Sequence, residues 1–311
     1  MVAAAAKQLK AKKITEKEFN AIELTSGKLR LEKCNVRAGT WNGVKLLPGA
    51  SLNASSCLFE ESSFFAISAK SPISMEVIDC EFKESGVQVV EGVATIQRCY
   101  FRGLEGIYVE QSSGNPTGIK DCHFINCFKY GVLATTTGAI DVSECTFDTC
   151  KIGVLCGDGK VVVRRCELSK CNFAISITGG EVSIEEQTQI TGGEFGCGIK
   201  GGKFRMIDDS VISDLTGSGV ILEESGSVEL RNAKILRCGT RALTMAAGTL
   251  SADDCEFTEC EDSGVLFTDA FERGRISKSR FVNNPGGAIL LEAGELDCED
   301  CVISGSDIGI L

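Results

Sequence analysis

Cysteine offers the most reactive chemistry in this chain of 311 residues, and there are 17 of them. A thiolate is a nucleophile, a disulfide partner and a soft metal ligand. Most of the cysteines are periodic. One set is Cys34, Cys57, Cys80, Cys99, Cys122, Cys145, Cys166, Cys255 and Cys301. A second set lies five residues after the same repeat position: Cys127, Cys150, Cys171, Cys238 (where that position is Ala233) and Cys260. Cys122, Cys127, Cys145 and Cys150 would offer four thiolates to Zn²⁺ if neighbouring repeats stack. Zinc sites usually show C-x₂₋₄-C spacing, and Cys122-x₄-Cys127 and Cys145-x₄-Cys150 stand at its upper end. A row that continues along the chain fits packing better, because cysteine is small, apolar and often buried. Cys298-x-x-Cys301 is an isolated motif. No metal and no cofactor is expected.

The other candidates are Asp208-Asp209, Asp253-Asp254 and His123. Two carboxylates can share acid and base work. Yet the residue before the cysteine landmark runs Asp79, Arg98, Asp121, Glu144, Arg165 and later Asp209, Asn232, Asp254, Lys278, Asp300. This reads as an outward row in which neighbours of opposite sign pair, each pair contributing roughly a few tenths of a kcal/mol. His123 lies between two inward residues, Cys122 and Phe124, so it should face solvent. No Ser/His/Asp set accompanies it. No catalytic residue is assigned.

These side chains must be positioned by a repeat, because every landmark recurs. The cysteine position is filled elsewhere by Thr188, Ser210, Ala233 and Ser279, all small. Two residues later stands an apolar residue, including Phe59, Phe82, Phe101, Phe124, Phe147, Phe257 and Phe281. Six to ten residues beyond comes Gly or Ala followed by Val, Ile or Leu, as in Gly43-Val44, Gly131-Val132 and Gly198-Ile199. The mean period is about 22 residues over thirteen steps from Ala21 to Gly309. A third element precedes each cysteine, as in Gly159-Lys-Val-Val-Val163. It alternates apolar and polar residues after a turn, which reads as a short strand.

Three short strands per repeat leave no room for a helix. Such a unit buries its apolar side only by stacking on its neighbours. The expected fold is therefore all-β: a parallel β-helix of about 13 coils of ~22 residues, roughly 60 Å long at ~4.8 Å per coil. The phenylalanines would form a continuous stack. The Gly/Ala row would mark a corner where a side chain clashes or where φ is positive. Residues 1–20 hold good helix formers and a capping box at Thr15-Glu-Lys-Glu18, and should add a short helical cap. Residues 21–311 form the solenoid.

At this point the sequence resembles the right-handed parallel β-helix repeat proteins, the pectin-lyase-like superfamily, over residues ~20–311. The left-handed kind uses stricter hexapeptides, which are absent. The superfamily contains polysaccharide lyases, hydrolases and epimerases, and also non-catalytic adaptor domains. The cysteine-rich style looks more like the adaptors. The polygalacturonase-like group uses Asn-Thr-Asp and Gly-His-Gly strings, and this chain has neither. Its Arg275-Ile-Ser-Lys278 has a different spacing from that group's Arg-x-Lys. The resemblance therefore carries no catalytic residue onto this chain. Enzymes of this group also wall a groove with long turn insertions, whereas coils here vary only between 20 and 25 residues.

The surface is more informative. The net charge is −11, which disfavours general nucleic-acid binding. No apolar run is long enough to span a membrane. The positive charges Lys7, Lys10, Lys12 and Lys13 follow the first apolar residues, unlike a secretory leader. The chain reads as intracellular, with its thiols reduced.

Residues following the Val/Ile/Leu landmark should face outward: Lys45, Ser68, Gln88, Tyr108, Leu133, Leu155, Ser176, Lys200, Ile221, Thr244, Leu266, Leu290 and Leu311. Two stretches of this row are apolar, Tyr108–Leu133–Leu155 and Leu266–Leu290–Leu311. Contiguous exposed apolar surface points to a protein partner. The expectation is a non-catalytic scaffold subunit of a larger assembly, bound through these six residues or self-associating through an uncapped last coil at Gly309-Ile310-Leu311. A carbohydrate-binding or carbohydrate-active β-helix is the alternative.

Overall fold

The computed structural model describes residues 20–37, 41–110, 117–135 and 137–311. Among the described residues every regular element is a strand. The expected helical cap lies, apart from Asn20, outside them.

The chain visits three parallel ladders in each coil. The first begins Ile22–Leu24, Val44–Leu46, Ile67–Lys70. The second begins Gly27–Glu32, Ala50–Ser55, Ser74–Ile78. The third is a separate sheet of 13 strands, from Asn35–Arg37 to Val302–Ser304. Strands Leu243–Asp253 and Ser263–Ser277 run unbroken through the first two ladders and join them into one sheet. This is the expected parallel β-solenoid.

The core follows from register. Phe59, Phe82, Phe101, Phe124 and Phe147 pair in successive strands of the third ladder. Their rings stack with centroids 4.6–4.9 Å apart and planes within 9°. All five are fully buried. Equivalent residues thus meet like on like, with the same rotamer repeated at each strand spacing.

The corners divide the two explanations offered for glycine. At Gly131 a Cβ would lie 2.6 Å from Phe147 Cδ1 and 2.8 Å from Gly153 O. Its φ is not positive, so the reason for glycine there is clash. Positive φ occurs instead just before the cysteine landmark: Asp79 at 54°, Arg98 at 49°, Asp121 at 52°, Glu144 at 57° and Arg165 at 49°. A second left-handed residue follows five positions later, as at Glu84, Asn126, Thr149 and Lys170. From Leu58–Glu60 onward each strand of the third ladder is therefore bracketed by two left-handed corners. That is an uncommon conformation for Arg, Glu and Lys. Ion pairs between coils accompany it: Arg98 binds Asp79 through two bonds of 2.6 and 3.0 Å, and Arg165 binds Glu144 at 3.1 Å.

One coil is shifted from its expected register. Ile175 pairs with Cys197, Ser176 with Gly198 and Ile177 with Ile199. The corner glycine there is Gly196, whose added Cβ would lie 2.8 Å from Ile212 Cγ2. The outward residue is thus Gly198 and not Lys200. The run Gly196-Cys-Gly-Ile199 carries two candidate glycines, and only the lengths of the flanking turns choose between them.

Candidate protein-binding face

The cysteine rows turn out to be polar fittings as well as packing. Each corner leaves backbone groups outside the strand ladders. Cys99 Sγ donates to Gln97 O at 3.2 Å and Val77 O at 3.5 Å. Cys145 Sγ donates to Ser143 O at 3.2 Å, and its sulfur accepts the Cys122 N–H at 3.4 Å. Thr188 Oγ1 does the same work, donating to Glu185 O at 2.8 Å and accepting the Cys166 N–H at 3.3 Å. Burial pushes the Cys156 and Cys255 thiols up to about 11, and raises Cys197 well above the usual thiol value. All 17 cysteines are free thiols. No group of three or more His, Cys, Asp or Glu side chains able to hold a metal occurs among the described residues.

His123 is half-buried rather than simply solvated. It stacks on Tyr100 with centroids 4.5 Å apart, and its Nδ1 lies 2.7 Å from Thr146 Oγ1. The next strand brings the threonine there, 23 residues away in sequence. Asp208 and Asp209 both occupy left-handed corners, at φ of 58° and 57°. Asp253 accepts the Ser277 hydroxyl at 2.8 Å and faces Lys278 at 3.8 Å. Coil-to-coil pairing thus accounts for this second pair's environment.

The outward face of the first ladder is where the apolar candidates meet. Tyr108 pairs with Leu133, and Leu133 with Leu155. Their neighbours Val132, Ala134, Val154 and Cys156 point into the core and are buried, so the three alternate outward. Tyr108 is held by its hydroxyl, which donates to Glu110 Oε2 at 3.0 Å and accepts from Thr135 at 3.3 Å. Burial raises its phenol pKa above the usual value.

The sequence pattern also carried a second outward column, two residues before each landmark. It runs Tyr130, Ile152, Phe173 and Phe195; Ile152 pairs with Phe173 and Phe173 with Phe195. The two phenyl rings stack at 4.9 Å. Tyr130 donates to the buried Glu105 carboxylate at 3.3 Å, which Lys129 reaches at 3.0 Å. Over three successive coils the partly or fully exposed positions on this face are Leu133, Thr135, then Ile152, Leu155, Gly157, then Phe173, Ser176, Thr178, with Tyr130 buried beside them. None is charged, in a chain in which charged residues make up 24%.

The second apolar stretch differs. Leu266 pairs with Leu290, but Leu266 is itself buried, Leu290 is half-buried, and only Leu311 is strongly exposed. The structure places the six candidates in two patches on one face, of which the Tyr108–Leu133–Leu155 patch is the broader.

A different surface holds the charged alternative. A shallow, open groove of about 590 Å³ lies on the second ladder, lined by Ser227, Thr249, Ser251, Arg273, Arg275 and Asp297 among others. Arg205 binds Glu229 beside it at 3.0 Å, and Arg275 binds Glu299 at 2.6 Å.

Three stacked parallel ladders closed around a stacked core define a parallel β-helix protein. The chain belongs to the right-handed β-helix family, whose pattern it matches over residues 7–147 and 151–308. No curated protein and no solved structure matches it. No helix among the described residues is long and apolar enough to cross a membrane.

Proposed function

We propose that this β-helix is a non-catalytic, intracellular scaffold subunit that holds a protein partner on the outward face of its first ladder. The observation that carries this reading is the uncharged window of three coils at Tyr130–Thr135, Ile152–Gly157 and Phe173–Thr178. A sheet face in contact with water alternates inward apolar with outward polar residues. Here Leu133 and Leu155, and Ile152 and Phe173, occupy half-buried outward positions in register, beside Tyr108. Aromatic anchors set in a low-charge surface are the composition of an interface core.

The double variant Leu133→Asp/Leu155→Asp tests it. Both residues are only half-buried, so the fold should survive. Affinity purification from the native source should lose its co-purifying proteins, with an unchanged circular dichroism spectrum. An identical set of bound proteins would count against the reading. A carbohydrate-binding role is favoured only by the groove at Arg273 and Arg275. Glycan-array binding that disappears in Arg273→Ala would support that alternative.

A further inference from the structure

We infer that the partner on this face is a second copy of the chain, packed with its solenoid axis antiparallel across a two-fold axis over Leu155. This rests on the reading of the face as a protein-binding surface. The support is a pattern of size and charge that is complementary to itself.

The central outward column runs Tyr108, Leu133, Leu155, Ser176, Gly198, one residue per coil. A two-fold axis at Leu155, lying in the interface parallel to the strands, opposes residues equally far above and below it. Tyr108 of one copy then meets Gly198 of the other, and Leu133 meets Ser176. In this column each larger side chain faces a small one and Leu155 meets itself, while in the flanking column Phe173 faces Tyr130 and Ile152 meets itself, apolar on apolar. Gly198 has no side chain of its own and is flanked by the Phe173 ring, since an added Cβ would lie 2.9 Å from Phe173 Cε1; Tyr108 would therefore meet that ring.

The neighbouring column follows the buried residues Val109, Ala134, Cys156, Ile177 and Ile199, which align in register. Its members are Glu110, Thr135, Gly157, Thr178 and Lys200. The same axis brings Glu110 opposite Lys200, twice by symmetry. Between these charges lie only uncharged residues. Further out, Lys45 falls opposite Leu266 and Glu223 opposite Val90, so neither of these two charges meets a like charge. For a chain of net charge −11, that avoidance is a condition for self-association. Overlaying about ten coils at ~4.8 Å across a strand width of about 15 Å covers on the order of 700 Å² per copy. That is close to the ~800 Å² of a stable interface.

The experiment is light scattering on the whole chain, of 33.1 kDa, with charge-swap variants. The wild type should show twice the monomer mass at micromolar concentration. Leu155→Asp, which sets two carboxylates on the axis, should be monomeric. Glu110→Lys and Lys200→Glu should each weaken dimerisation about tenfold or more, and the double swap should restore it. Restoration has no explanation in misfolding. A wild type that stays monomeric at about 100 μM overturns the inference, as does a double swap as weak as the single variants. A dimer indifferent to Leu155→Asp overturns it too. A monomeric wild type whose Leu133→Asp/Leu155→Asp variant still loses its native binding proteins would remove the second copy and leave the face as a partner site.

Discussion

At Cys145 the thiol hydrogen reaches Ser143 O at 3.2 Å and Ile119 O at 3.7 Å, while the sulfur takes the Cys122 N–H at 3.4 Å. Ser143 O also accepts the Asp121 N–H at 2.9 Å, so the group that depends on the sulfur is the buried Cys122 N–H; the side chain is small enough for the corner and polar enough to serve it. That dual demand explains why Thr188, Ser210 and Ser279 replace cysteine elsewhere in the row; each hydroxyl donates to a nearby carbonyl at 2.7 or 2.8 Å. It also predicts a reversal of hydrophobic expectation. Cys145→Ser should keep most of the stability, whereas the apolar Cys145→Val should lose about 1–3 kcal/mol by orphaning that N–H. Urea unfolding followed by circular dichroism checks the order, and a valine variant more stable than the serine variant would refute it. The period of the cysteines was legible in the sequence. Their polar role was not, because it depends on a corner conformation that residue types alone do not announce. The hydroxyl substitutes were the available clue.

From Leu58–Glu60 onward the three-residue strands of the third ladder exist because two left-handed corners bound each of them, as at Asp79 and Glu84 or Glu144 and Thr149. Glycine would adopt that conformation without strain. The chain places Arg, Glu, Asp and Lys there instead, and so keeps the pairs Arg98–Asp79 and Arg165–Glu144. Ser56, with φ of 52° and an exposed side chain, is the position at which to separate strain from pairing. Ser56→Gly should stabilise by about 0.5–1 kcal/mol, and Ser56→Val should destabilise by about 1–2 kcal/mol. Thermal unfolding of the two variants measures both; a stabilising valine would mean that φ is not the constraint. Strand number and face could be read in advance, because apolar alternation fixes them. The corner type could not, since charged residues are poor markers of left-handed backbone. Nor could the two-residue offset at Gly196–Ile199, where successive glycines leave the pattern degenerate. The Phe173–Phe195 pair on the candidate face depended on that offset.

A solenoid holds each coil only through its neighbours, so stability should be distributed along the axis and not pooled in one core. The phenylalanine column makes this testable. Phe124 stacks between Phe101 at 4.9 Å and Phe147 at 4.6 Å and is fully buried. Phe124→Ala removes two ring contacts and leaves a cavity costing about 3–5 kcal/mol. In a globular core that loss would lower protection everywhere. Here the flanking coils, residues 94–156, should exchange amide hydrogens faster, while coils at 204–289 keep theirs. That far segment is held by its own pairs, including Phe257–Phe281 at 4.9 Å. Hydrogen exchange read by mass spectrometry resolves the two segments. A uniform rise along the whole chain would show that the coils unfold as one cooperative unit. Local loosening would also reach the uncharged face, because Leu133 rides on the strand that follows Phe124 in the chain and pairs with the strands of Tyr108 and Leu155. A core substitution remote from solvent should then weaken whatever binds that face, with none of the contacting residues changed.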